Sequence, residues 1–373
     1  MKILFIGPLP DPVTGHSLAC KILLDELIED HEHEVDVINL SKDSFKNGLN
    51  SFSRIIVVLR IIQEVLRKHG RAQVIYFTIS ESFAGNIKDI LIYLVCFKRL
   101  SRMIIHLHGG SLKKLLFDKS RLLFRVNKYF ICRLGGVIVV GPAHVSTFSG
   151  IISAEKVHIV PNFSEDYLFT TEGEIISKFR DMRPLRILFL SNLIQGKGFN
   201  EIIDAYLELS EDFKKRVIID FAGSFESDIH KMKFISRIER LSQIHYHGFV
   251  GGAEKKDLLS RAHIFCLPTS LCEGQPISIL EAYASGCVVI TTAQGGIQDV
   301  FRDNINGFEV EVKSIRSLKL VFDQCVRHPD KLLPIAIENF NTAREKYRTS
   351  NYNSSLIGII HNLSKKDSRL HRS

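Results

Sequence analysis

The stretch "IFCLPTSLCEGQPISILEAYASGCVVITT", Ile264 to Thr292, decides the fold. It opens on "IFCLP", an apolar run without polar alternation, which reads as a strand buried on both faces. "TSLCEGQP" follows as a loop at the carboxyl end of that strand, marked by Gly274 and Pro276. "ISILEAYA" reads as a helix, with Pro276 in its first turn, where the missing N–H is an orphan donor anyway. "CVVITT" is a second buried strand. A strand, a helix and a strand in that order make a crossover unit, and such a unit belongs to a parallel sheet.

The helix is apolar almost all round. Ile277, Ile279, Leu280, Ala282, Tyr283 and Ala284 wrap much of its circumference, so it is expected to be buried. Glu281 stands among them, eight residues after Glu273 of the loop. A glutamate is seldom fully buried without a partner. Two readings stay open on spacing alone. Glu273 can cap the helix while Glu281 forms a salt bridge. Alternatively, Glu281 accepts hydrogen bonds from two ligand hydroxyls, as on a ribose, and Glu273 reaches a second hydroxyl-bearing group. On that reading Ser278 and Ser285, on the face of Glu281, leave room for the ligand. The free backbone N–H groups between Gly274 and Ser278 then suit an anion such as phosphate.

The same pattern runs outward through the chain. Short apolar runs recur as "ILFIG", "VDVIN", "VIYF", "MIIHLH", "GVIVV" and "VHIV" in the first half, and as "RILFLS", "RVIIDFAG", "IHYHGF", "IFCLP", "CVVITT" and "FEVE" in the second. Helix-patterned segments such as "SLACKILLDELIED" and "NEIIDAYLELSEDF" separate them. The series restarts once, after the polar stretch "SEDYLFTTEGEIISKFRDMRP". The 373 residues suffice for two domains with full cores. The expected architecture is two doubly wound, Rossmann-like α/β domains facing across a cleft. The first takes residues 1–168, the second 169–349, and a C-terminal helix at about 350–373 packs back on the first. The charged tail "SKKDSRLHRS" is expected to fray. In such sheets ligands bind outside the carboxyl ends of the strands.

Composition narrows the function. Seven cysteines, scattered and without a C-x-x-C pair, fit a reducing compartment better than a disulfide framework or a zinc site. The N-terminal "MKILFIGPLP" reads as a strand rather than a signal peptide, and no uncharged apolar run is long enough to span a membrane. A cytoplasmic protein is expected, peripheral on the inner face of the cytoplasmic membrane. The net charge of +8 suggests an anionic partner. From Lys113 to Arg133 seven basic residues face one acid, Asp118, interleaved with leucine and aromatic residues. That segment suits an anionic membrane surface, or else is an ordinary helix with a solvated basic face. No nucleic-acid-binding motif accompanies the charge.

Leu267 to Val310 resembles the signature of family 4 retaining glycosyltransferases, which have the GT-B fold. The two glutamates, the Glu-Gly-x-Pro loop, the Glu-Ala-x-Ala-x-Gly helix, the Gly295-Gly296 turn and Asn306-Gly307 stand in register. The resemblance implies that Glu273 contacts the donor sugar and Glu281 the nucleotide ribose, with Gly274, Gln275, Pro276, Ile277 and Ser278 around the donor. "PLPDPVTGHSLA" is similar to the family's glycine-rich turn at the donor phosphate; Gly15 matches, while His16 stands where a second glycine is common. "IIHLHGG" implies a place for His108 beside the donor sugar, with His106 structural. "LSNLIQGKGFNEIIDAY" resembles the donor-phosphate segment. Lys197 fits it, but Asn192 takes the place of an arginine, which removes a bidentate donor. Gly223 and Val250 are expected near the base. "VPNFSEDYLF" matches a structural segment, with Glu165 where an aspartate is usual.

The implied reaction is transfer of a sugar from a nucleotide-sugar, UDP before GDP, to a saccharide acceptor, with retention. The cationic first half favours an acceptor carried on a lipid, as in surface polysaccharide assembly. No Asp-x-Asp occurs in the sequence, so neither a metal nor another cofactor is expected. A nucleotide-sugar epimerase, a phosphorylase and a non-catalytic nucleotide-sugar-binding protein remain as other readings.

Overall fold

The computed structural model describes residues 1–41 and 51–370, without the side chains of 51–54 and 366–370. Each of the twelve apolar runs forms a strand. The first sheet holds β1 (Lys2–Gly7), β2 (Glu34–Asn39), β3 (Val74–Thr78), β4 (Met103–Leu107), β5 (Gly136–Val139) and β6 (Val157–Ile159) in the order β2-β1-β3-β4-β5-β6. The second holds β7 (Leu185–Leu190), β8 (Val217–Ala222), β9 (Ile244–Tyr246), β10 (Ile264–Leu267), β11 (Val288–Thr291) and β12 (Gly307–Glu309) in the order β12-β11-β10-β7-β8-β9. Every strand pair in both sheets is parallel. The helices of the first sheet are α1 (Gly15–Glu29), α2 (Ser51–Lys68), α3 (Phe83–Val95) and α4 (Arg121–Ile131). Those of the second are α5 (Glu172–Arg180), α6 (Phe199–Leu207), α7 (Glu211–Lys214), α8 (Asp228–Ile238), α9 (Gly252–Arg261), α10 (Ile277–Ala284), α11 (Ile315–Arg327) and α12 (Leu332–Lys346), before a last helix, α13 (Thr349–Leu370).

The chain divides into two compact units. One comprises residues 1–162, the short loop Cys272–Gln275 and the chain from Ser350 onward; the other comprises Phe163–Leu271 and Pro276–Thr349. Each has its own apolar core. Leu4, Ile6, Phe77, Ile105 and Val137 lie at the centre of the first, and Ile187, Phe189, Phe221, Leu267 and Ile290 at the centre of the second. α13 is fastened to the first unit through α1: the Tyr352 hydroxyl donates to the Ala19 carbonyl at 3.4 Å and Asn353 Nδ2 to Glu26 at 2.8 Å. Helical backbone runs to Leu370 through most of the tail expected to fray, and residues 371–373 of that tail lie outside the described residues.

Local chemistry shifts three element boundaries. "NEIIDAYLELSEDF" is broken into α6 and α7, because the Ser210 hydroxyl accepts from Phe213 N–H and caps a new helix start. The segment 113–133 is a π-helical turn, Lys113–Phe117, followed by α4, with Ser120 as the cap that separates them. Pro276 is outside the first turn: its ψ of 115° is extended, so it is the N-cap of α10, which begins at Ile277.

Strand order predicts where each unit binds. In the first sheet the order reverses between β1 and β3, and in the second between β7 and β10. The carboxyl ends of those strands open on the crevices where doubly wound sheets take ligands.

Candidate active site

In the second unit the predicted residues cluster at the reversal between β7 and β10. The loop after β7 carries Asn192 and Lys197, both half-buried. It is tied to the loop after β10, since the Gly196 carbonyl accepts from Ser270 N–H at 2.7 Å and from the Ser270 hydroxyl at 3.1 Å. Gly223, at the end of β8, has φ +143°, and a Cβ there would overlap the Ser191 carbonyl, so no other residue fits without moving the β7 loop. Its N–H donates to the Gly248 carbonyl at 2.7 Å, which joins it to the turn bearing the buried Val250.

α10 starts at the end of the β10 loop. Ile277 is buried and Ser278 half-buried. Glu281, one turn in, is only 3 % exposed. Lys255 of α9 donates to it at 2.5 Å and to Glu165 at 3.1 Å. Burial pushes the Glu281 carboxyl upward, and the Lys255 charge offsets this. Burial opposes the charge on Lys255 too, but Glu281 and Glu165 together hold it above the ordinary lysine value. The sequence showed the carboxylate and missed its partner. Glu165, read from sequence as structural, is the third member of this cluster.

In the first unit His108 follows β4. It is half-buried, yet both of its ring nitrogens are shut off from solvent without a hydrogen-bond partner. Its ring lies 3.8 Å from that of His106 and 4.5 Å from that of His16 (centroid distances). Desolvation, then the neighbouring His106 and His16, hold the His108 pKa well below the ordinary histidine value. His106 is fully buried, hydrogen-bonded to the Tyr76 hydroxyl at 2.6 Å, and lowered to about 3 by burial and then by His16. Gly15, exposed, is the first residue of α1, whose N-terminus Thr14 and Ser17 close as a capping box.

The loop Cys272–Gln275 belongs to this unit and brings Glu273 and Gly274 with it. A Cβ on Gly274 would overlap the His108 carbonyl, and one on Gly110 the Glu273 carbonyl. His144 Nε2 lies 3.0 Å from the Gly274 carbonyl. Gln275, expected at the donor, is buried, and its side-chain oxygen accepts from the Asn162 N–H at 2.5 Å while its carbonyl accepts from Asn162 Nδ2 at 2.8 Å. Glu81 accepts from the N–H groups of Ser111 and Leu112 at 2.5 and 2.8 Å and so holds the His108-Gly109-Gly110 turn. Sequence reading missed His144 and Glu81. The contacts they make span 130 and about 30 residues, and no local pattern marks them.

The two parallel, doubly wound sheets are those of the GT-B fold. The structure of Anabaena Alr3699/HepE in complex with UDP-glucose matches 98 % of this chain and 100 % of its own with a TM-score of 0.71 at 18 % identity, which establishes the fold. Residues 172–339 match the model of the family described as glycosyl transferases group 1. Among proteins of known sequence, the chain is 22 % identical over 256 residues to the uncharacterized glycosyltransferase MJ1069 of Methanocaldococcus jannaschii, covering 66 % of this chain and 64 % of that protein. It is 26 % identical over 181 residues to the amylovoran biosynthesis glycosyltransferase AmsK of Erwinia amylovora, covering 46 % of this chain and 43 % of the relative. The chain thus spans just under two thirds of the first relative and less than half of the second.

Proposed function

We propose that this chain is a retaining glycosyltransferase. It moves a sugar from a nucleotide-sugar, UDP-linked before GDP-linked, to a saccharide acceptor carried on a lipid, in assembly of a surface polysaccharide. The observation that carries the reading is Glu281: a carboxylate buried one turn inside α10, at the carboxyl side of the sheet reversal, with Glu273 in the loop before it. The glycosyltransferase match over 172–339, the UDP-glucose held by HepE and the polysaccharide role in the name of AmsK support it.

Glu281 takes the ribose hydroxyls. Lys197, the N–H groups at the start of α10 and the Gly15 turn take the diphosphate. Gly223 and Val250 line the base, and Glu273 positions the sugar. The acceptor hydroxyl attacks the anomeric carbon from the face that the diphosphate leaves. The bond to the acceptor oxygen forms, the bond to the phosphate oxygen breaks, and the hydroxyl proton passes to the departing phosphate. His108 is neutral at working pH, so it serves as a hydrogen-bond donor to the sugar rather than as a cation. Lys197 and the helix end stabilise the leaving charge, and the transfer itself uses no metal.

The segment 113–133 is proposed to rest on an anionic membrane. Leu116, Phe117, Leu123, Phe130 and Ile131 are buried, but Leu122 is 71 % exposed and Leu115 and Tyr129 are also exposed, among the basic residues. α3 and the residues after it add Phe83, Ile87, Leu91, Leu94 and Phe97 as exposed apolar groups, and Phe97 stacks on Tyr129. Among the described residues no helix is long and apolar enough to cross a membrane.

Thermal shift against UDP, GDP and their sugars tests the donor, because a ligand of the folded state raises Tm by mass action. Donor turnover in the presence of EDTA then separates an enzyme from a binding protein. Stabilisation without transfer or hydrolysis overturns the catalytic part.

A further inference from the structure

We propose that His16, Cys20 and His108 form a binding site for a zinc ion at the reversal of the first sheet. The ligand atoms these three side chains offer all lie within 4.8 Å of one another. Zinc bonds of about 2.0–2.3 Å at tetrahedral angles put two nitrogens and a sulfur roughly 3.3–3.6 Å apart, so side-chain rotations that draw the atoms together by about 1 Å close the set.

The placement is built by the fold. His16 and Cys20 stand four apart in the first two turns of α1 and so share one face. β1 and β4 are each one strand away from β3. Cys20 Sγ sits over Gly7 at the end of β1, where a Cβ on Gly7 would come within 3.0 Å of the sulfur. His108 enters from the end of β4.

The second, independent observation is what these atoms lack. His16 Nε2 and both His108 ring nitrogens are buried with no hydrogen-bond partner. A buried polar nitrogen without a partner costs free energy, and a cation that accepts one lone pair from each ring removes that cost for His16 Nε2 and for one of the two His108 nitrogens. A thiol binds a metal as its thiolate, so binding at Cys20 releases one proton, the S–H bond being replaced by an S–Zn bond. Two imidazoles with one thiolate make a donor set for a borderline-soft, tetrahedral ion, and disfavour magnesium or calcium.

The His106 ring packs against that of His108 at 3.8 Å between centroids and is itself hydrogen-bonded to Tyr76, which restricts the His108 ring by packing. The fourth position is left for water or a small anion. Zinc in this site occupies His108, so on the glycosyltransferase reading zinc inhibits transfer. The binding itself does not rest on that reading.

Cobalt(II) and zinc, added to chelator-stripped, reduced protein, test the site without any substrate. Wild type is expected to bind about one ion per chain, and bound cobalt is expected to show a thiolate charge-transfer band in the near ultraviolet. Cys20→Ser removes that band, and His16→Asn weakens binding by about tenfold or more. Cys132→Ser, at an exposed cysteine, leaves both unchanged. Circular dichroism of each variant verifies its fold, and His16→Asn decides the matter if Cys20→Ser does not fold. Failure of wild type to bind a stoichiometric ion overturns the proposal, as does a thiolate band that survives in folded Cys20→Ser.

Discussion

Lys255 Nζ lies 2.5 Å from Glu281 Oε1, where the glutamate side chain is 4 % exposed and the lysine side chain 12 %. Glu165 closes the cluster at 3.1 Å. A carboxylate in the middle of an apolar helix is tolerable because this lysine neutralises it. Replacing the pair by apolar groups can be neutral, but removing one partner strands a charge in a poorly solvated place.

Lys255→Met is therefore expected to destabilise the protein by about 3–5 kcal/mol, with the double variant Lys255→Met/Glu281→Leu recovering much of that loss. Urea unfolding of both variants at neutral pH measures it. A single variant as stable as wild type would show that the glutamate is already uncharged.

The two glutamates should separate kinetically. Glu281→Ala is expected to raise the donor KM, because it removes binding to the nucleotide in ground and transition states alike. Glu273→Ala is expected to lose most turnover, since it meets the sugar where the reaction occurs. Initial-rate kinetics on both purified variants decide this, and wild-type constants in both would sink the site assignment.

Much of this was legible in sequence, for a physical reason. A strand buried on both faces has no polar alternation to dilute its signal, so "IFCLP" and "CVVITT" stand out, as do the inner strands β3, β4 and β5 of the first sheet, while the edge strands β2, β6, β9 and β12 carry exposed residues. Glu281 stood out because every other residue of its helix except Ser278 is apolar. Lys255 did not, because α9 is polar: Lys255 and Lys256 look alike until the helix turns one toward the buried Leu258 and Leu259 and leaves the other exposed. The spacing of Lys255 from those leucines was the available signal. His144, Glu81 and the Gln275–Asn162 link carry none, because each joins segments that only the folded chain brings together.

Gly274 is where the loop bearing Glu273 meets the end of β4, with no room for a Cβ under the His108 carbonyl. Gly274→Ala is expected to push this loop away from His108 and cut kcat by about a hundredfold, as small misplacements of reacting groups do. The core elements are untouched, so the far-ultraviolet circular dichroism should match wild type. Unchanged kcat would show that the loop's position against His108 does not matter to turnover.

His263 gives the second unit a pH dependence. Its Nδ1 accepts from the Arg186 N–H at 3.0 Å, and its Nε2 donates to the Lys178 carbonyl at 3.1 Å. A second ring proton would point at the Arg186 N–H. Burial foremost lowers this histidine from 6.5 to about 4, against a weaker upward pull from the Lys178 carbonyl. The unfolded chain then binds a proton that the folded one refuses between pH 6.5 and 4, so stability is present above 6.5 and lost as pH falls. Between pH 7.5 and 5 the loss from this group is about 2 kcal/mol. Urea midpoints of wild type and His263→Gln at the two pH values measure it. The variant starts lower at pH 7.5 but should fall less by about that amount, and parallel declines would reject the assignment.

The basic segment around α4 makes the last prediction. Seven cations between Lys113 and Arg133 flank exposed Leu115, Leu122 and Tyr129, and Arg133 stacks on Tyr129 at 3.9 Å. Near an anionic surface each cation contributes about 1 kcal/mol, and inserted apolar side chains add to that. Charge reversal at Lys113, Lys114, Arg121 and Arg125 is expected to reduce sedimentation with phosphatidylserine-containing vesicles by well over tenfold at low salt. Leu122→Ser should weaken binding less, and in a way that added salt does not mimic, because its contribution is burial and not charge. Equal sedimentation of the charge-reversed protein and wild type would make this segment an ordinary helix with a solvated basic face.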